Sequence, residues 1–164
     1  MNKYPRSQTV IRFQDCDAFG HLNNAKFINY FIHAREDHLR DHYGFDLYEH
    51  ARETGNNWFV TRHEIAYLRP AKLGEVVTIQ TALIDVDASS LTVEGVMFDA
   101  AGTKVKAVQW TTFGYVDLAR GRRAVHDTGM QALLDSIFVG PDSWKTDGLD
   151  ARVLALRKPQ PVTA

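Results

Sequence analysis

With 164 residues, 45% of them hydrophobic, the chain has the length and apolar content of one globular domain around a single core. Its formal net charge is -1 and its 19 Lys and Arg are scattered, which argues against the dense basic track of a nucleic-acid binder. No stretch approaches the roughly 18 uninterrupted apolar residues of a membrane span, and the start MNKYPRSQTVIRF lacks the apolar segment and cleavage site of a secretory leader. The single cysteine, Cys16, has no intrachain disulfide partner, so the expectation is a soluble, cytoplasmic protein without membrane or nucleic-acid partners.

From Thr9 to Asp15 the sequence TVIRFQD alternates, with Thr9, Ile11 and Phe13 on one side, and predicts a strand with one apolar face. A polar knot, DCDAFGHLNN at 15–24, follows. After it, Phe27, Phe31, Ala34 and His38 beside Ile28, Ile32 and Leu39 predict a long helix with a broad apolar stripe, stopped by Gly44. DLYEHARETG reads as a short second helix ending at Gly55. Strands are predicted near Trp58 to Leu68, Val76 to Val86, Leu91 to Phe98 and Val105 to Val116. The turn signals at Asp87 to Ser89 and around Gly102 are short enough for antiparallel hairpins. Met130, Leu133, Leu134 and Ile137 recur at helical spacing after a cap at Asp127 or Thr128. The order implies one domain over 1–139 and a polar tail over 140–164 with Pro141, Pro159 and Pro161, to which no element is assigned.

One strand, a long helix and four further strands make an α+β pattern in which a sheet wraps one face around the helix. The pattern resembles the hotdog fold, an antiparallel five-stranded sheet around a long central helix, here with a C-terminal helix. That resemblance implies a dimer with active sites between subunits; a tetramer is equally compatible.

Within the knot, Asp17, Gly20, His21, Asn23 and Asn24 read D-x-x-G-H-x-N-N before an aromatic-rich helix. This resembles the signature of hotdog acyl-CoA thioesterases of the 4-hydroxybenzoyl-CoA thioesterase branch, over roughly residues 8 to 137. A second stretch, RHEIAYLRPAKLGE from Arg62 to Glu75, is similar to the strand, turn and strand that follow the helix in that branch. The resemblance implies hydrolysis of a thioester to free acid and CoA without metal or organic cofactor. Asp17 matches the catalytic aspartate, either attacking the carbonyl to give a mixed anhydride or activating water as general base. Free backbone N–H groups of the first helical turn near Asn23 to Ala25 suit a developing oxyanion, and Asn24 matches the residue whose N–H polarises the carbonyl. Gly20 suits a close backbone approach in the turn.

His21, four residues after Asp17, is spaced like the aspartate and histidine of plant acyl-ACP thioesterases and is suited to orient water or stabilise charge. Those enzymes carry asparagine two residues after the aspartate, where this chain has Phe19; Phe27 stands where many relatives have tyrosine, which removes a hydroxyl donor. Arg62, Arg69, Lys72, Lys104 and Lys106 offer charges for CoA phosphates, with Arg69 and Lys72 favoured because they flank the turn of the second matching segment. Phe19, Phe27, Trp58 and Phe59 shape a pocket or serve as plain core.

Other residues have blander expectations. Asn23 or Asn24 caps the helix. Asp15 is an ordinary strand-end acid, and Cys16, between two carboxylates that suppress its thiolate, is a small core residue. His38 and His42, four apart, belong to a solvated helix face rather than a metal site, because Leu39 stands where a zinc hydrolase motif has glutamate. His63 and Glu64 point to opposite faces of one strand. An acyl carrier protein substrate and a non-catalytic acyl-CoA-binding protein are the alternative functions; a hotdog dehydratase disagrees with the place of Asp17 at the head of D-x-x-G-H.

Overall fold

In a computed structural model of the chain, which describes residues 1–140 and 144–157, the first strand, β1 (Arg6–Val10), begins three residues before the predicted one. Phe13–Asp15 form a turn of 3-10 helix instead, closed by the Asp15 N–H on the Arg12 carbonyl at 3.1 Å. The Arg12 N–H donates to the Tyr30 hydroxyl at 3.0 Å, so this stretch is held by a helix side chain and not by a neighbouring strand. Phe13, expected on the apolar face, is 80% exposed. Alternation continues past the point where the backbone leaves its ladder.

Helix α1 (Asn24–Tyr43) runs from the Asn23 cap to Gly44, whose φ of 62° is the left-handed ending expected there. No Gly or Pro interrupts its 20 residues, about 30 Å of helix. Phe27, Phe31, Ala34 and His38 are its buried face, packed with Ile11, Val77, Ile79, Met97 and Ala107. Burying each Phe contributes roughly 1.5–3 kcal/mol. Gly95 makes room for this face: a Cβ there would stand 2.5 Å from the Phe31 ring.

After α2 (Leu47–Thr54) come β2 (Asn56–Tyr67), β3 (Val76–Val86), β4 (Ser90–Asp99) and β5 (Val105–Asp117), each within two residues of the predicted bounds. The sheet order is β1-β3-β4-β5-β2, all antiparallel, with a two-residue strand β6 (Arg122–Arg123), unforeseen in the sequence, paired to β5. Both predicted hairpins form. The Asp87 carboxylate accepts from Ser89 and Ser90 N–H in one, and Asp99 accepts from Thr103 and Lys104 N–H in the other. Register shifts at Val60/Arg62, Leu83/Asp85 and Met97/Phe98 add twist and curl the sheet around α1. The result is the expected α+β hotdog architecture. Helix α3 (Thr128–Ile137), capped by Asp127, seals one end with Met130, Leu134 and Ile137 against Leu83, Leu91 and Phe113.

The segment Trp144–Arg157, to which the sequence assigns no element, is helical (α4), broken at Gly148. Val153 and Leu156 are buried there. Leu156 packs against Val96, Phe98, Val105 and Val108, on the sheet face away from α1. Glu94, 1% exposed, accepts from Arg152 through both oxygens at 2.7 and 2.8 Å and from Trp110 Nε1 at 3.0 Å. Pro141, Pro159 and Pro161 lie outside the described residues.

Candidate active site

The knot is a small hairpin. Cys16 bridges Leu22, the Asp17 N–H donates to the His21 carbonyl at 2.8 Å, and the Gly20 N–H closes the turn on the Asp17 carbonyl at 3.0 Å. Gly20 has φ 72°, the left-handed residue that completes a tight turn. A Cβ at Gly20 would meet nothing within 4 Å; the glycine therefore serves the backbone angle and not the close approach expected from the sequence.

Asp17 is exposed. Its Oδ1 accepts from the N–H groups of Phe19 at 2.9 Å and His21 at 3.2 Å, while Oδ2 has no hydrogen-bond partner among the described residues. One oxygen fixes the carboxylate and the other is presented outward. The His21 imidazole is half-buried, and its backbone bridges Lys72. Leu22 N–H to Ala71 carbonyl at 2.8 Å and Leu73 N–H to Gly20 carbonyl at 2.9 Å stitch the knot to the second family-like segment, although some fifty residues separate them in sequence.

At the start of α1, the Asn23 side chain accepts from the Ala25 N–H at 3.0 Å, so Asn23 is the cap. The Asn24 N–H has no protein acceptor among the described residues, and the Asn24 carbonyl accepts from the Tyr67 hydroxyl at 2.8 Å. Phe27 is 2% exposed, with its ring edge-on to Tyr67 at 5.2 Å. Position 27 offers no hydroxyl, and the Tyr67 hydroxyl next to the same helical turn is engaged with the Asn24 carbonyl. Tyr67 lies within the second segment, and a polar-tipped aromatic on a strand carries no local sign of what its hydroxyl reaches.

The cations divide. Lys72 is exposed beside His21, with its N–H on Glu75 Oε2 at 2.8 Å. Arg69 donates to the Val105 carbonyl at 2.7 Å. Lys106, expected among the charges offered to CoA phosphates, is instead buried and bonds the Pro70 carbonyl at 2.9 Å and Glu75 Oε1 at 2.7 Å. Burial pushes the Glu75 carboxyl up, but hydrogen bonds from Lys106 and Lys72 outweigh it and hold the group below its ordinary value. Arg62 pairs with Glu64 at 3.1 Å, while His63 turns to Thr111 Oγ1 at 3.0 Å, on the opposite face as expected.

Asp15 accepts from the Tyr30 hydroxyl at 2.9 Å and lies 3.5 Å from the Lys26 ammonium, a structural network at the base of the knot. Burial, then the charges of Asp17 and Asp15, raise the Cys16 thiol pKa, and Cys16 packs against the core. His38 corrects the expectation of a solvated pair: it is 2% exposed, with Nδ1 on Thr81 Oγ1 at 2.7 Å and Nε2 on Ser7 Oγ at 3.0 Å. His42 remains exposed. Position 38 continues the stripe of Phe27, Phe31 and Ala34 onto the sheet, where the Thr81 and Ser7 hydroxyls supply polar partners. Trp58 is half-buried in a ring cluster with His50, Tyr115 and His126, whereas Phe59 and Phe19 are exposed at 52% and 84%.

Residues 11–134 match the model of the Thioesterase-like superfamily. Among solved structures, the probable thioesterase YbaW from Escherichia coli is 23% identical, with 80% of this chain and 97% of that one covered and a TM-score of 0.71. Slr0204, a 1,4-dihydroxy-2-naphthoyl-CoA thioesterase from Synechocystis, is 15% identical over 82% and 97%, with a TM-score of 0.73. A DHNA-CoA thioesterase from Staphylococcus aureus is 16% identical over 92% and 95%, also at 0.73. At these identities the likeness is one of fold. Among curated proteins, no sequence matches this one. The chain belongs to the Thioesterase-like superfamily and has the hotdog fold. Among the described residues no helix is long and apolar enough to cross a membrane.

Proposed function

We propose that the protein is an acyl-CoA thioesterase that hydrolyses its substrate to free acid and CoA. The observation that carries this reading is the turn that holds Asp17 by one oxygen, leaving the other unbonded, six residues before the Asn23 cap of a helix whose Asn24 N–H has no protein acceptor among the described residues. In the nucleophilic route, the free oxygen of Asp17 attacks the thioester carbonyl, CoA leaves as thiolate and takes a proton, and water then cleaves the mixed anhydride. In the general-base route, Asp17 takes a proton from water as the water attacks, and the departing thiolate receives it. Both pass through an oxyanion, for which the Asn24 N–H and the positive end of α1 are suited. His21 assists by orienting water, and neither route uses a metal or organic cofactor.

Gly20 and Asn23 shape the substrate site through the turn and the cap, and Phe27 backs it from the core. Lys72 is the better candidate for the CoA phosphates, because the Arg69 guanidinium already serves the Val105 carbonyl. Self-association is part of the reading: β2 is an end strand of the sheet, with Phe59 and Val60 52% and 43% exposed, an edge suited to cover by a second copy, as a dimer or within a tetramer.

Thiol release from a panel of short, long and aromatic acyl-CoAs, beside Asp17→Asn, tests the assignment. Loss of turnover by at least about a hundredfold in a folded Asp17→Asn protein is expected. Equal rates in the two proteins would remove Asp17 as the catalyst. Release from acyl carrier protein thioesters alone would move the substrate to the carrier protein, and binding of acyl-CoA without turnover would make the protein a carrier.

A further inference from the structure

Arg35 interrupts the apolar stripe of α1 between Ile32 and Leu39. Its side chain turns under the helix, with the guanidinium carbon 4.1 Å from the centre of the buried Phe113 ring. Burial lowers its pKa to about 10, with the Glu36 charge acting in the opposite sense, so it remains a cation at neutral pH. Among the described residues no carboxylate lies within ion-pair distance of it.

Gln109 lines the same void between helix and sheet. It is 2% exposed. One end of its amide lies 2.7 Å from Thr111 Oγ1, and the other end has no partner. Turning the amide over only exchanges which end is orphaned, so the side chain offers the void either an acceptor or a donor. This void is small, about 10 Å³, and is bounded toward the start of the helix by Phe31 and Ile32. On the other side of Arg35 lie two apolar voids of about 50 and 30 Å³, floored by Leu134 and Ile137.

A half-buried cation without a counter-ion among the described residues and a buried amide with one idle end each call for a polar partner. An apolar ligand supplies none. We infer that Arg35 and Gln109 form the far end of the acyl pocket and bind a carboxylate at the end of the acyl chain, so that the preferred substrate is a CoA monothioester of a dicarboxylic acid. This rests on the thioesterase reading above. Eleven residues separate Arg35 from Asn24, about 16 Å along the helix. A helical side chain leans toward the N-terminus, which leaves a span suited to an acyl chain of about eight to ten carbons. Ile28 and Ile32 are both half-buried on α1 between Asn24 and Arg35, and on this inference their side chains must give way to the acyl chain.

The experiment compares kcat/KM for decanoyl-CoA and for the CoA monothioester of decanedioic acid, using the unmutated protein, Arg35→Met and Arg35→Lys. Calorimetric titration with free decanedioate and sedimentation velocity run alongside. The unmutated protein is expected to favour the carboxylated substrate by at least about tenfold. Arg35→Met is expected to lose that preference while still hydrolysing decanoyl-CoA, and Arg35→Lys to keep part of it. If Arg35→Met does not fold, Gln109→Leu takes its place, with a severalfold loss of preference expected.

A preference for decanoyl-CoA in the unmutated protein, or the same ratio in Arg35→Met, overturns the inference and leaves a water-filled structural void. Dissociation of Arg35→Met into monomers with an unchanged ratio also overturns it, because the counter-ion then comes from a second copy. If no thioester is cleaved, yet decanedioate binds and Arg35→Met abolishes binding, the anion site stands and the thioesterase reading fails. Absence of both turnover and binding removes both.

Discussion

The Tyr67 hydroxyl donates to the Asn24 carbonyl at 2.8 Å, joining the last residue of β2 to the first residue of α1. This bond ties down the first turn of α1, whose N–H groups serve the oxyanion in the proposed mechanism. Tyr67→Phe keeps the ring contact with Phe27 and removes only the hydroxyl. Because the carbonyl can turn to water, the expected stability cost is about 1 kcal/mol or less. A drop in kcat of up to about tenfold with little change in KM is expected from a loosened oxyanion site. Urea unfolding and steady-state kinetics on the same preparations check both, and an unchanged kcat would limit Tyr67 to packing.

Gly95 and Phe31 set the spacing between sheet and helix. In Gly95→Ala the new methyl would stand 2.5 Å from a Phe31 ring that is itself 3% exposed. The ring or the helix must shift, at an expected cost of about 1–3 kcal/mol. Adding Phe31→Leu should recover part of that loss. A thermal midpoint of Gly95→Ala equal to that of the unmutated protein would show that the helix yields freely.

His38 gives the fold an acid-sensitive point. Burial, then the neighbouring His42, lowers its pKa from the ordinary 6.5 to about 4. The unfolded chain therefore takes up the proton first. The contribution is fully present above pH 6.5 and is lost as pH falls toward about 4. At its largest it amounts to about 3 kcal/mol. His38→Gln keeps hydrogen bonding to the Ser7 and Thr81 hydroxyls without titrating. Urea midpoints between pH 4 and 8 should fall less steeply with acid in the variant; identical slopes would assign the acid sensitivity to other groups, among them His50, His63 and His126, whose pKa values burial also lowers.

Arg152 holds α4 to the sheet through Glu94. Arg152→Met leaves a carboxylate that is 1% exposed without its guanidinium, at an expected cost of about 3–5 kcal/mol. Glu94→Gln combined with Arg152→Met should cost less than Arg152→Met alone, since the stranded charge is gone. Chemical denaturation of the two variants measures the difference, and faster proteolysis within residues 144–157 should accompany the single change.

The order of the longer elements from β1 to α3, the Gly44 stop, both hairpins and the Asp127 cap were legible in the sequence because each depends on residues within a few positions of one another. The D-x-x-G-H-x-N-N run was legible as a turn before a helix for the same reason. Local signals reached their limit at Phe13, where alternation persists after the chain has left the sheet. At His38, a polar residue on the stripe is buried by two hydroxyls from other strands. At Lys106, a strand-end cation is consumed by Glu75 and the Pro70 carbonyl.

Sequence by itself determined which residues turn, cap and alternate, and so the family. Tertiary structure alone decided that Tyr67 reaches Asn24, that Lys72 lies beside His21, that Arg152 answers Glu94 and that Arg35 shares a void with Gln109. Turns and caps are short-range hydrogen bonds, closed by neighbours along the chain. Contacts across a curled sheet depend on register, bulges and helix placement summed over the whole domain, and no single stretch of sequence carries that sum.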